Sequence, residues 1–281
     1  MDTFVIKAAG SCTSGKRKRE NLETKTEEGL MDTQLTCDDA SRGLLSNEKA
    51  TWPPYTWTKI KSQGLDCDYT SLFCKAEADD IFLELENKLT YFSESASGTG
   101  HDILNWLGLL LKLSDELSKV KVFGKWHNIA RKQVSYGDPG LTYTYSGVTL
   151  TPKPWIPVLE CIRDRVKEAT GYNFNFVLIN RYKDGNDHIG EHRDDEKELV
   201  PRSPIASVSL GACRDFFFRH GASRGKIPSS RIEPVKLQLA HGSLLMMNYP
   251  TNVHWYHSLP ARKKILAPRI NLTFRKIILV K

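Results

Sequence analysis

His192-Arg193-Asp194, followed 65 residues later by His257, supplies two imidazoles and one carboxylate. That set suits a non-haem Fe(II) oxygenase, because three protein ligands leave coordination positions open for a chelating co-substrate and for O2. His254 lies close to His257, and residue type alone does not choose between them as the distal ligand. Downstream, Arg269-Ile270-Asn271-Leu272-Thr273-Phe274-Arg275 alternates polar with apolar residues. In a strand this turns Arg269, Asn271, Thr273 and Arg275 to one face. Two guanidiniums on an inward face are costly unless an anion neutralises them. 2-Oxoglutarate, a dicarboxylate that also chelates iron, meets that requirement. Asn180 and Tyr182, two apart in a β-rich run, share a face in the same way.

A second metal motif overlaps the first. His188-Ile189-Gly190-Glu191-His192 fits the His-x-x-Glu-His pattern of an inverted zinc protease motif. Zinc binding there needs a helix that puts both histidines on one face. Asp184-Gly185-Asn186-Asp187 reads instead as a turn, and Gly190 interrupts any helix, which disfavours the protease.

The elements that must position these residues follow from periodicity. Residues 76–92 place Ile81, Phe82, Leu85, Leu89 and Phe92 at helical spacing. Pro154 to Thr170 predicts a second helix, with proline in its first turn and Gly171 beyond its end. Strands are expected over Phe174–Tyr182, Ile205–Leu210, Asp215–Arg219, Val235–Ala240, Leu244–Met247 and Ile270–Val280. Two helices and then six strands imply an α+β domain, a double-stranded β-helix (jelly roll) braced by N-terminal helices.

The chain has 281 residues, enough for one catalytic domain over 55–281 behind a tail over 1–54. The tail is polar, poor in aromatics and without period, so disorder is expected there. Its Lys16-Arg17-Lys18-Arg19 cluster reads as a nuclear address or an arm for nucleic acid. The net charge of +7 favours a polyanionic partner. Six irregularly spaced cysteines without a secretory signal read as reduced intracellular thiols. The longest apolar run, around Ile103–Leu113, is too short to span a bilayer.

Asn180-Arg181-Tyr182-Lys183-Asp184-Gly185, the His192 segment, Ser243-Leu244-Leu245-Met246-Met247-Asn248 and the Arg269–Arg275 signature carry a family resemblance over most of 55–281. The chain resembles the AlkB family of Fe(II)/2-oxoglutarate dioxygenases, which repair alkylated nucleic acid. The resemblance implies iron on His192, Asp194 and His257, with 2-oxoglutarate on Asn180, Tyr182, Arg269, Thr273 and Arg275. It implies O2-dependent hydroxylation of an N-methyl group on bases such as 1-methyladenine or 3-methylcytosine in DNA, preferably duplex, with formaldehyde released. A dioxygenase acting on RNA or protein is the alternative.

Substrate selection is expected upstream of the barrel. In Lys121-Val122-Phe123-Gly124-Lys125, an apolar wedge stands between cations, as in proteins that pry open base steps. A base must leave the stack to reach an enclosed iron, so flipping is expected. The resemblance makes Val122, Phe123 and Gly124 a finger into the duplex. It also makes Tyr143-Thr144-Tyr145 a lid stacking on the flipped base, and Asp195 the reader of its exocyclic amine. Arg131, Lys132, Arg219, Arg224, Lys226, Arg262, Lys263 and Lys264 are expected along phosphate paths, Lys125 among the substrate contacts. A segment over about 93–118 reads as an insertion relative to the family. Phe4–Lys7 resembles a sliding-clamp peptide whose first basic position is occupied by Thr3. A monomer without a membrane anchor is expected.

Overall fold

Alternating runs in the second half of the chain become strands, several of them buried on both faces. The computed structural model describes residues 5–6, 55–91, 119–122, 125–128, 131–145, 148–224 and 231–278. Most of the 1–54 tail and the 93–118 insertion therefore lie outside the described residues.

In chain order, β1 (Val5–Ile6) precedes the hairpin β2 (Thr58–Ser62) and β3 (Leu65–Ser71), then helix α1 (Lys75–Lys88). Next come the hairpin β4 (Lys119–Val122) and β5 (Lys125–Asn128), β6 (Lys132–Gly137), and the short pair β7 (Tyr143–Tyr145) and β8 (Val148–Leu150). Helix α2 (Pro157–Thr170) leads to β9 (Phe176–Tyr182), β10 (Ile189–His192), β11 (Ile205–Gly211), β12 (Arg214–His220), β13 (Val235–Leu239) and β14 (Ser243–Met247). One turn, α3 (Thr251–His254), precedes β15 (Trp255–Leu259) and β16 (Arg269–Arg275).

Seven strands form one sheet in the order β2-β3-β14-β11-β16-β9-β6, and five form another in the order β1-β13-β12-β15-β10. Every pairing in them is antiparallel except β1 with β13, where Val5 pairs Lys236. The alternation in β16 explains the layers. Ile270, Leu272 and Phe274 join Val177, Ile179, Val208 and Leu244 in a core shared with Ala78 and Leu85 of α1 and Leu159, Ile162 and Val166 of α2. The opposite face of the same sheet packs against the five-stranded one, with Leu245 and Met247 meeting Phe216, Phe218, Leu237, Trp255 and Leu259. Two mostly antiparallel sheets facing each other in this way form a jelly roll.

Local chemistry sets the helix ends. Ile156 is extended before Pro157, as a residue preceding proline prefers, so α2 starts there rather than at Pro154. Gly171 at φ 76° closes it in the left-handed region, its N–H donating to the Lys167 carbonyl at 2.7 Å. Leu89 is extended, which ends α1 before the expected residue 92. Among the described residues, no helix is long and apolar enough to cross a membrane.

Candidate active site

The pairing of β10 with β15 aligns His192 directly with His257, which brings their ring centroids to 4.2 Å. Asp194 lies two residues beyond the end of β10 and is 4% exposed. One ligand atom each from His192, Asp194 and His257 falls within 4.8 Å of the others. His254 takes no part: it ends α3 and stacks on His220, ring centroids 6.0 Å apart. The buried face of β15 is Trp255, His257 and Leu259, so alternation decides between the two histidines. The zinc-protease alternative fails as well, because Ile189–His192 is strand and His188 is exposed on the turn before it.

Electrostatics keep this trio deprotonated. Burial pushes His257 down to about 3, with His192 adding to the effect. Burial also lowers His192. Burial alone would raise Asp194, but the Arg275 guanidinium, Nη2 3.1 Å from Oδ2, and the two imidazoles hold it well below the usual carboxylate range. Two neutral imidazoles and a carboxylate are the protonation states a cation requires. Asp194 Oδ1 and His257 Nδ1 are buried without a hydrogen-bond partner. The donor set and the unpartnered carboxylate oxygen fit an Fe(II) ion.

The sheet face behind the trio is polar where the sequence alternates. Asn180, Tyr182, Arg269, Thr273 and Arg275 line one cavity with His192, Asp194 and His257. Arg269 donates from Nη2 to Ser209 Oγ at 2.9 Å and lies over the Tyr182 ring at 5.3 Å. Its Nε and Nη1, and Arg275 Nε, are buried without hydrogen-bond partners. Burial lowers Arg269 to about 10, so it remains a cation at neutral pH. Two buried guanidiniums with unmet donors beside a metal set fit a dicarboxylate that also reaches the metal.

Three polar lining residues were not expected there. Arg131, read as a phosphate contact, is instead 7% exposed and donates from Nε to Asn180 Oδ1 at 2.8 Å. Gln133 donates to the same oxygen at 2.8 Å. Both flank or belong to β6, which pairs with β9 through Gln133↔Asn180. Ser207 accepts from Asn271 Nδ2 at 2.8 Å. A signal existed for each: polar residues at every second position of Arg131-x-Gln133-x-Ser135 and Ser207-x-Ser209.

The expected substrate residues divide. Val122 and Lys125 are paired across β4 and β5, while Phe123 and Gly124, at the proposed tip, lie outside the described residues, as does Lys226. Tyr143, expected to stack on a base, has no exposed surface: Phe176 lies against its ring at 4.7 Å and Arg275 at 5.4 Å. Thr144 donates its N–H to Glu198 Oε1 at 3.2 Å, and the side chain of Tyr145 is outside the described set. Thr144, His192, Asp195 and Glu196 line a second, open cavity of about 460 Å³. Arg262 is tied to Asp215 at 2.7 Å, and Lys263 and Lys264 are exposed. Arg214, unremarked in the sequence, is buried and donates to the carbonyls of Asp184, Asp187 and Pro260 at 2.8–3.1 Å, fixing the turn that joins β9 to β10.

This fold and site define a class, and sequence comparison agrees. A family model described as the 2OG-Fe(II) oxygenase superfamily matches residues 111–275, and the chain belongs to that superfamily. Within it the chain is similar to AlkB-family proteins. It is 57% identical over 284 residues to human "DNA oxidative demethylase ALKBH2", covering the whole of both chains. The mouse protein of the same name is 64% identical over 222 residues, 79% of this chain and 84% of its own. Mouse "Alpha-ketoglutarate-dependent dioxygenase alkB homolog 3" is 39% identical over 161 residues, 52% of this chain and 54% of its own.

Proposed function

We propose that this protein is an Fe(II)/2-oxoglutarate-dependent demethylase of N-alkylated bases in DNA, acting on duplex by base flipping. The observation that carries it is the union of the His192, Asp194 and His257 set with the Arg269 and Arg275 face in one cavity. The likeness to two mammalian proteins named DNA oxidative demethylases, across most or all of their length, supports DNA as the substrate.

Bound iron supplies oxygen activation, with 2-oxoglutarate as the two-electron donor. His192, Asp194 and His257 would hold it. Arg269 and Arg275 neutralise and orient the dicarboxylate, and Asn180, Tyr182 and Thr273 complete its polar wall. Phe216, Leu178, Met247 and Leu259 line the same cavity and exclude water. The open cavity beside His192 receives the flipped base, with Asp195 at its rim. One atom of O2 would enter the N-methyl C–H bond and the other would leave in succinate as 2-oxoglutarate loses CO2; the N-hydroxymethyl base would then release formaldehyde and the repaired base. The hairpin of β4 and β5 serves as the finger, the exposed Lys263 and Lys264 meet phosphates, and the Lys16–Arg19 cluster directs the protein to the nucleus.

The test is a duplex bearing 1-methyladenine, incubated with Fe(II), with and without 2-oxoglutarate, and read by base mass spectrometry. Adenine should appear only with the co-substrate, and Asp194→Ala should abolish it. Demethylation independent of 2-oxoglutarate, or full turnover by Asp194→Ala, would remove the assignment.

A further inference from the structure

On the outer face of the five-stranded sheet, Glu191 lies between two arginines. Its Oε1 is 3.4 Å from Arg219 Nη1 and its Oε2 3.1 Å from Arg224 Nε. Arg224 also lies over the Tyr256 ring at 3.6 Å, and Arg193 approaches the same ring at 4.7 Å. Arg193 is pinned in turn by donation to the Val253 carbonyl at 2.8 Å. The register explains the grouping. Arg219 pairs with Tyr256 across β12 and β15, one step from the Phe218↔His257 pair. Phe218 and His257 are buried toward the cavity side, so alternation sends Arg219 and Tyr256 outward.

Two guanidiniums, Arg193 and Arg224, therefore sit against one aromatic ring, with Arg219 beside them on Glu191 and Asp195 3.8 Å from Arg193. Planar guanidiniums held by stacking are pre-organised for phosphate oxygens. A carboxylate that gives one oxygen to each of two arginines occupies the place a phosphate would take. The Arg219, Arg224 and Glu191 side chains are 48%, 36% and 32% exposed. Pairs this open are weak and screened, so an incoming anion can exchange with the carboxylate.

We propose that Glu191 is an internal stand-in for a DNA phosphate: it keeps Arg219 and Arg224 poised while masking them, and the duplex backbone displaces it. This rests on the reading of the protein as a DNA enzyme. Glu191 then sets the gap between loose sampling of undamaged duplex and productive engagement, since phosphate contacts carry affinity without sequence information.

The experiment is a titration of full-length wild type and Glu191→Gln with fluorescent undamaged duplex across a salt series. Glu191→Gln should bind roughly threefold or more tightly at low salt, because the arginines no longer have to release a carboxylate, and the gain should shrink as salt rises. In an Arg219→Gln/Arg224→Gln background the same substitution should give no gain. Unchanged or weaker binding by Glu191→Gln, or a gain that survives loss of both arginines, would overturn the proposal. A measurement on wild type guards against an unstable variant: the Arg224 Nε–H NMR signal should move as duplex is added, and a signal unmoved at saturation also overturns it. Wild type that binds no duplex at all would remove the DNA reading itself. Binding by wild type with an unaltered Glu191→Gln titration would remove this proposal alone.

Discussion

Arg275 sits between a metal ligand and the cavity assigned to the co-substrate. It pairs with Asp194 at 3.1 Å and also lines the co-substrate face. Arg275→Ala should raise the 2-oxoglutarate concentration needed for half-maximal turnover sharply, because a lost charged hydrogen-bond partner costs about 1.5–3 kcal/mol. Duplex affinity measured in parallel should barely change; the reverse pattern would reassign the face to DNA. The imidazoles make a second residue-level prediction. His257 is held near 3 in the folded protein against an ordinary 6.5. Between those values the unfolded chain binds more protons than the folded one, so stability falls as pH falls through that window. Asp194, lowered by Arg275, acts in the same direction at more acid pH. Glu196, raised by burial and by Asp194, acts oppositely and loses its contribution as pH rises. The difference in urea stability between metal-free wild type and His257→Gln isolates the histidine: it should shrink from pH 7 to pH 4.5, and a constant difference would show that folding leaves the His257 pKa at its ordinary value.

Elements were legible where both faces of a strand carried a pattern. β11 and β16 show it in sequence because one face packs toward the helices and the other lines the polar cavity, so their serines, asparagine and arginines stand out at every second position. β10 and β15 did not show it. Ile189-Gly190-Glu191-His192 and Trp255-Tyr256-His257-Ser258-Leu259 are short, and their polar residues serve the cavity on one side and solvent on the other. Arg131 was misplaced because a cation beside Lys132 reads as surface; its burial depends on β6 reaching β9, a long-range event that the alternation of Arg131, Gln133 and Ser135 signals only weakly. The Glu191 cluster was invisible for the same reason, as it joins three strands. One prediction at this scale concerns the β4–β5 hairpin. Phe123→Ala should lower activity on methylated duplex much more than on the same lesion in single strand, since a wedge offsets the cost of opening a pair, a few kcal/mol. An unchanged ratio of the two rates would remove the finger. Another concerns the β9–β10 turn. Gly185 exchanges backbone hydrogen bonds with Arg262 and Ile265 at 2.6 and 2.7 Å, and a Cβ there would collide with the Arg262 carbonyl. Gly185→Ala should cost roughly 2 kcal/mol or more and weaken 2-oxoglutarate binding by shifting Tyr182, which precedes the turn and pairs with Arg269, as chemical denaturation and co-substrate titration would show. Wild-type values for both would mean the turn yields.

Across the whole molecule, the chain separates its tasks by layer. The helices and the outer face of the seven-stranded sheet hold the largest apolar cluster, the space between sheets holds the iron and co-substrate residues, and the outer face of the five-stranded sheet carries the arginine cluster. The five-stranded sheet ends on β10, whose ladder to β15 shifts register between Ile189 and His192. An edge strand held by so irregular a ladder opens easily on its own. Yet its last residue is one metal ligand, Asp194 follows two residues on, and the third lies on the neighbouring strand. A bound cation would therefore rivet the rim of the barrel, closing a covalent-like loop from His192 to His257 much as a cross-link does. Adding a redox-inert divalent ion without any substrate should slow amide hydrogen exchange along Glu191–Asp194 and Tyr256–Ser258 and raise the melting temperature by mass action. Exchange unchanged at those amides would mean the rim is already locked. If the rivet holds, metal starvation would leave a barrel that breathes at its mouth, and loss of iron would expose the protein to proteolysis at β10 before its core is touched.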